Sequence, residues 1–246
     1  MNVVESHQRL AKLHRRIFEL QDRLSGESCT ECVFVVGSPG TQTSDLSWAL
    51  AEHPSLWTSC ESHLFYQTVG PNERGRPQLR EIFDNASAVE GGWLWTNDVG
   101  YEEFAACLGH GFDRLFLSRS EGKRWVDSSP ENLLIADSLS LMFPRARFVH
   151  VVRDGRAVVR SMLASGLDED WARDLRSACE TWVHYVRAGL AFQTAHRDRV
   201  LEVRSERLAA EPEAELASIL EFLHVDPHPG PLRFLRSRRP ATLEAG

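Results

Sequence analysis

Apolar positions follow two patterns along the chain. Leu10, Leu13, Ile17, Leu20 and Leu24 alternate three and four apart, which predicts a helix over residues 1–26 with one apolar seam, ending near Ser25-Gly26. The seam spans only about two heptads, short for a free-standing coiled coil. Packing on its own domain is the first expectation, and a homodimer contact through this helix the second. Val33-Phe34-Val35-Val36 is instead a continuous apolar run, as in a buried parallel strand. It leads into a loop of small and hydroxyl residues, Gly37, Ser38, Pro39, Gly40, Thr41, Gln42, Thr43 and Ser44, and then a helical stretch from Asp45 to Glu52. Strand, small-residue loop and helix form a unit that places anions at a helix amino end.

A second such unit follows. Leu133 to Phe143 reads as an amphipathic helix, Phe148 to Val152 as a buried strand, Arg153-Asp154-Gly155-Arg156 as a turn, and Ala157 onward as another helix. Trp171 to Phe192 has a long helical pattern, Val200 to Val203 predicts a short strand, and Leu216 to Leu223 a last helix before a Pro-rich tail from Pro227. About 66–124 the pattern is irregular. The economical expectation is a single α/β domain over 27–246, a parallel sheet with helices on both faces, carrying that stretch as an irregular insertion.

Composition narrows the classes. With 246 residues, 42% hydrophobic and 26% charged, the chain has the make-up of a folded domain rather than of a disordered one. The formal charge of −7 speaks against nucleic acid as a partner, yet leaves room for a local basic pocket. Only Lys12 and Lys123 are lysines, so the cations are arginines, the better planar fork for phosphate. No run reaches the roughly 20 apolar residues of a membrane span, and the first 30 residues lack a secretory pattern. A cytoplasmic location is expected, with no membrane partner. Five cysteines, an odd number, fit reduced thiols, and Cys29-x-x-Cys32 has no second pair to make a zinc site.

Two segments carry chemistry. The loop after the first strand keeps Gly37 and Ser44 of a nucleotide-hydrolysing P-loop but has Gln42 and Thr43 where the second Gly and the Lys belong. ATP or GTP hydrolysis, and with it a kinase, is therefore disfavoured. Arg153 stands at the carboxyl end of a strand, where open α/β sheets bind ligands. Asp154 is placed to cap the following helix, on which Arg156 and Arg160 share a face.

Here the sequence resembles the sulfotransferases that use 3′-phosphoadenosine 5′-phosphosulfate (PAPS), nearest to the tyrosylprotein-type and bacterial small-molecule branches. Three stretches carry the likeness: Val33 to Glu61, with Gly37-Ser-Pro39, Glu52-His-Pro54 and Cys60-Glu61; Ser128 to Met162, with Pro130-Glu-Asn-Leu-Leu134, Phe143-Pro144 and Arg153-Asp-Gly-Arg-Ala157; and Val200 to Leu223, with Leu208-Ala-Ala-Glu-Pro212 and Glu221-Phe-Leu223. The resemblance implies a P-loop-like sheet, a PAPS donor and no metal. It implies that the loop from Gly37 to Ser44 wraps the 5′-phosphosulfate and that Arg153 and Ser161 hold the 3′-phosphate. Glu61 matches the base toward the hydroxyl of a small-molecule or peptide acceptor. His63, two residues on, falls where some bacterial relatives place a His; in an extended segment it shares a face with Glu61.

The chain departs from that pattern in its cations. The family's loop commonly has an Arg after the Pro and a Gly two residues later, where Gly40 and Gln42 stand; a Lys is common where Ser128 or Ser129 stands; and a Tyr of the third stretch is Ser205. Two functional expectations result: sulfuryl transfer from PAPS to a hydroxyl, or a catalytically impaired member of the fold that binds a nucleotide or a protein partner without transfer.

Overall fold

A computed structural model of the protein describes residues 31–71, 75, 77–167 and 169–238. The expected N-terminal helix and Cys29 lie outside the described residues. In chain order the elements are β1 (Val33–Val36), α1 (Thr43–Ala51), β2 (Leu56–Thr58), α2 (Leu64–Val69), α3 (Gln78–Ser87), α4 (Trp93–Thr96), α5 (Tyr101–Ser120) and β3 (Arg124–Asp127). Then follow α6 (Ala136–Met142), β4 (Arg147–Val152), α7 (Gly155–Ala164), α8 (Leu175–Ala195), β5 (Val200–Arg204), α9 (Ser205–Ala210), α10 (Pro212–Phe222) and α11 (Pro229–Ser237). These residues form two compact units. One holds Val33–Ser62, Lys123–Leu134 and the chain from Arg147 onward; the other holds His63–Gly122 and Ile135–Ala146.

The first unit is built on a parallel sheet in the order β2-β3-β1-β4-β5. Strand alternation sorts the side chains. Val33, Val35, Val126, Val149, Val151 and Val203 join Leu46 and Leu50 of α1 and Leu216, Ile219 and Leu220 of α10 in one core. On the other face Phe34 stacks on Phe148 at 5.2 Å, and Phe148 meets Phe192 of α8 at 4.7 Å. Both faces are thus covered, which is why the strands read as unbroken apolar runs. The chain leaves β1 toward β2 and leaves β4 toward β5, so the order of connection reverses between β1 and β4. That is the switch point at which open α/β sheets take ligands, beyond the carboxyl ends of the strands.

Strands β2 and β3 are absent from the sequence expectation because they are short and end in buried polar residues, Thr58 and Asp127. The stretch read as a helix from Leu133 begins as a 3-10 turn over Pro130–Ile135 and becomes α-helical only at Ala136. The tail from Pro227 is not open chain: Pro229 and Pro231 open α11, at positions where a missing N–H costs nothing.

The second unit lies in the stretch expected to be irregular, and it is helical. Its main helix, α5, buries Ala105, Ala106, Gly109, Asp113, Phe116 and Ser120. Apart from Phe116 this face is made of small and polar residues, so it shows no hydrophobic stripe in the sequence. Gly109 lets the backbone of Met142 come within 2.0 Å of where a Cβ would stand. Phe65, Phe112, Phe116 and Phe143 form the aromatic centre of this unit. Trp93 and Trp95 of this unit are 71% and 57% exposed. Among the described residues no helix is long and apolar enough to cross a membrane.

One core residue carries a pH dependence. His150 of β4 sits on the α8 face, opposite Glu202 of β5, and Gly189 makes the room: a Cβ there would meet the imidazole at 2.4 Å. Burial pushes the His150 imidazole below its usual range, while Glu202 and Gln193 pull the other way. The folded protein therefore keeps His150 neutral where the unfolded chain protonates it. Stability declines as pH falls below about 6.5 and is recovered above it. In denaturant melts, the midpoint of the wild-type protein should drop more between about pH 7.5 and about pH 5.5 than that of His150→Gln. Equal drops would show that His150 is not the group responsible.

Candidate functional site

The loop leaving β1 is a built turn. Ser38-Pro39-Gly40-Thr41 closes with the Thr41 N–H donating to the Ser38 carbonyl at 3.1 Å, and Gly40 takes φ +86, the geometry of a type II turn. Thr41 Oγ1 donates to the same carbonyl at 2.7 Å. Arg153, at the end of β4, donates from Nη1 to the Gly40 carbonyl at 2.9 Å. Ser205, opening α9, donates from Oγ to the Thr41 carbonyl at 2.8 Å. The carbonyls of Ser38, Gly40 and Thr41 are thus tied to donors from the loop itself, from the end of β4 and from α9. Gly37 and Gly40 are the two residues the packing cannot enlarge: a Cβ on Gly37 would lie 2.7 Å from the Val151 carbonyl, and one on Gly40 3.2 Å from Ser161 Cβ.

Helix α1 begins directly after the turn. Its N-cap is Gln42, in the left-handed region with φ 68 and no side-chain capping bond. The first-turn N–H groups of a helix lack intrahelical acceptors and carry the positive end of its dipole. With no side chain supplying that acceptor, the amino end of α1 is suited to an anion. Beside it lies a cleft of about 340 Å³. Gly40, Thr43, Ser44 and Glu61 line one side, Ser161 stands on α7, and Met162, Leu167 and Trp171 form an apolar wall.

Glu61 reaches the cleft through a braced segment. Thr58 Oγ1 donates to the Val126 carbonyl at 2.9 Å and accepts the Cys60 N–H at 2.9 Å, and the Cys60 carbonyl accepts the Ser128 N–H at 3.0 Å. Ser44 Oγ then donates to Glu61 Oε1 at 2.5 Å. The base candidate is therefore hydrogen-bonded to the first turn of α1. The segment that carries Glu61 and His63 is not the extended strand on which a shared face was expected: Cys60 has φ 66 and His63 φ 52. His63 is exposed, at the start of α2 in the other unit.

Ser161 lines the cleft, and Arg153 lines a space of about 30 Å³ with Ser38, Thr41, His150 and Tyr185. Both approach Gly40: Arg153 donates to its carbonyl, and Ser161 Cβ stands 3.2 Å from where a Gly40 Cβ would be. Asp154 caps α7 as expected, accepting the Arg156 and Ala157 N–H groups at 3.0 and 3.3 Å. Its carboxyl is held down to about 2, first by the hydrogen bond from Arg156.

The positions where cations were expected are filled otherwise. Ser128 and Ser129 are fully buried, in a turn organised by Asp127, whose Oδ1 accepts the Ser129 N–H at 2.9 Å and Asn132 Nδ2 at 2.7 Å. Asp127 was not singled out as a site residue in the sequence, although Asp-Ser-Ser-Pro is the signature of such a turn. Arg124 cannot stand in: it begins β3, at the amino edge of the sheet, and donates to the Leu223 carbonyl at 2.5 Å. Among the described residues no group of His, Cys, Asp or Glu side chains is placed to hold a metal ion.

Comparison with known proteins agrees with this geometry. A family model described as the sulfotransferase family matches residues 32–229. Protein-tyrosine sulfotransferase A of Caenorhabditis elegans is 24% identical over 199 residues, covering 78% of this chain and 50% of that protein. Protein-tyrosine sulfotransferase 1 of Danio rerio is 33% identical over 204 residues, covering 78% and 53%. The chain thus spans about half the length of these curated relatives. Among solved structures, the sulfotransferase domain of the Synechococcus PCC 7002 olefin synthase superposes with a TM-score of 0.57 at 24% identity, covering 85% of this chain and 80% of that one. Sulfotransferase STF1 of Mycobacterium tuberculosis gives 0.54 at 17% identity, covering 92% and 76%. The parallel sheet in its P-loop-like order, the anion-ready turn after β1 and the matched span together place this chain in the sulfotransferase family.

Proposed function

We propose that the protein transfers a sulfuryl group from PAPS to the hydroxyl of a small-molecule or peptide acceptor. The observation that carries this reading is the Ser44–Glu61 hydrogen bond, which puts a carboxylate at the open amino end of α1. The residues fit the donor. Thr43 and the first-turn amides of α1, that of Ser44 included, suit its 5′ end, Ser161 its 3′-phosphate, and the wall of Met162, Leu167 and Trp171 a nucleobase. Arg153 has five N–H donors, and its bond to Gly40 uses one of them. Bound there, the donor supplies an activated sulfuryl group and leaves as the 3′,5′-bisphosphate.

The chain's own part is alignment, charge and one proton. Glu61 accepts the proton of the acceptor hydroxyl as that oxygen attacks, and Ser44 fixes which carboxylate oxygen faces the loop. The α1 amides and dipole stabilise negative charge that grows on the leaving side. Since the loop is already tied to β4 and α9, these donors need little rearrangement to act. No metal is needed in this scheme.

One observation favours a second reading, donor binding without transfer. The residues described as lining the cleft include Asp45 and Glu61 but no Lys or Arg. The two readings separate in a transfer assay with labelled PAPS and a panel of phenolic, sugar and tyrosyl-peptide acceptors. Transfer is expected, with Glu61→Gln lowering kcat by about 100-fold or more. Ser44→Ala should lower it less, and His63→Ala tests whether that side chain assists. Donor binding with no transfer to any acceptor would support the second reading; turnover unchanged in Glu61→Gln would remove Glu61 as the base.

The loop carries its own prediction. Ser205→Ala leaves the Thr41 carbonyl buried without its donor, which should cost about 1–3 kcal/mol in denaturant melts. A variant as stable as the wild type would show that the turn is held without Ser205.

A further inference from the structure

The cation missing from the loop has a candidate elsewhere in the chain. Helix α11 runs back along α1. It starts where Gly230 abuts the Glu52 carbonyl, at the carboxyl end of α1, with a Cβ position only 2.4 Å away. His228 caps it by accepting the Gly230 N–H at 3.2 Å. It ends with Arg238 beside Asp45, in the first turn of α1, where Nη1 and Oδ1 are 3.2 Å apart. Asp45 is one of the two carboxylates lining the cleft.

This pair does little for folding. The side chains are 58% and 39% exposed, so solvent screens the pair and leaves it little net stabilisation. A guanidinium at the amino end of a helix is also on the wrong side of the dipole unless an anion joins it. Asp45 supplies one negative charge; a phosphate at the α1 amino end would supply more. The arrangement brings a flexible, always-charged fork to the edge of an anion site lined by carboxylates.

We propose that Arg238 is an anion-site residue: carried in on α11, it gives the donor's 5′ end the positive charge that the turn from Ser38 to Thr41 lacks, with Asp45 as the counter-ion that positions it. The inference rests on the PAPS reading and deepens it.

The test is a double-mutant cycle read by calorimetric titration with 3′-phosphoadenosine 5′-phosphate (PAP), with adenosine 3′-monophosphate as the ligand lacking the 5′ group. Arg238→Ala should weaken PAP binding about tenfold or more and leave the monophosphate unchanged, while Arg238→Lys keeps part of the affinity. Asp45→Asn should bind PAP as well as or better than wild type. The Arg238→Ala, Asp45→Asn double variant should remain weaker than Asp45→Asn alone by a similar factor. If the double variant binds as Asp45→Asn does, Arg238 acts only by neutralising Asp45 and the direct role is overturned. PAP binding unchanged in Arg238→Ala overturns the inference and leaves the donor reading standing. No PAP binding by the wild-type protein overturns both.

Discussion

The site depends on where the carbonyls of one loop point. The carbonyls of Ser38, Gly40 and Thr41 are each engaged by a donor from the loop, from β4 or from α9. A turn whose oxygens are tied down in this way offers amides, not carbonyls, to whatever lies beyond the strand ends. The two glycines follow from the same constraint, since a side chain at Gly37 or Gly40 would push the turn off Val151 or Ser161. Glu61 is then brought to the helix by Ser44, so the proposed base and the amino end of α1 are linked through a single hydroxyl.

That design explains how the fold can dispense with the P-loop lysine. A nucleotide-hydrolysing loop neutralises phosphates with Lys and magnesium. Here Thr43 stands in the Lys position and is buried, which leaves backbone dipoles and hydroxyls as the local donors. Such groups are preorganised but weakly charged, so the charge balance of the cleft is decided at its edge, where Asp45 meets Arg238. The sulfotransferase family is established for this chain by the match over residues 32–229. The donor and acceptor rest on the site itself.

Legibility in the sequence followed burial and distance along the chain. Strands β1 and β4 were readable because both faces are covered: β1 is wholly apolar, and β4 is apolar except at Arg147 and His150. Strands β2 and β3 were not, since their buried polar ends, Thr58 and Asp127, look like surface. Helix α5 was hidden because its inner face, Phe116 apart, is Ala, Gly, Asp and Ser. The loop, Glu61, Arg153 and Ser161 stood out by type, position and resemblance. What they touch did not: the Arg153–Gly40 bond spans 113 residues and the Ser205–Thr41 bond 164, separations no local pattern records. The left-handed φ values at Cys60 and His63 were not readable from local pattern either.

The central claim is that the turn after β1 and the first turn of α1 present amides to the donor nucleotide. Amide hydrogen exchange of the wild-type protein, with and without PAP, tests it most directly. The account predicts slowed exchange concentrated at residues 40–46, with a second protected segment at the start of α7 through Ser161. Protection elsewhere with these segments unchanged, or none at PAP concentrations that saturate binding, would contradict it.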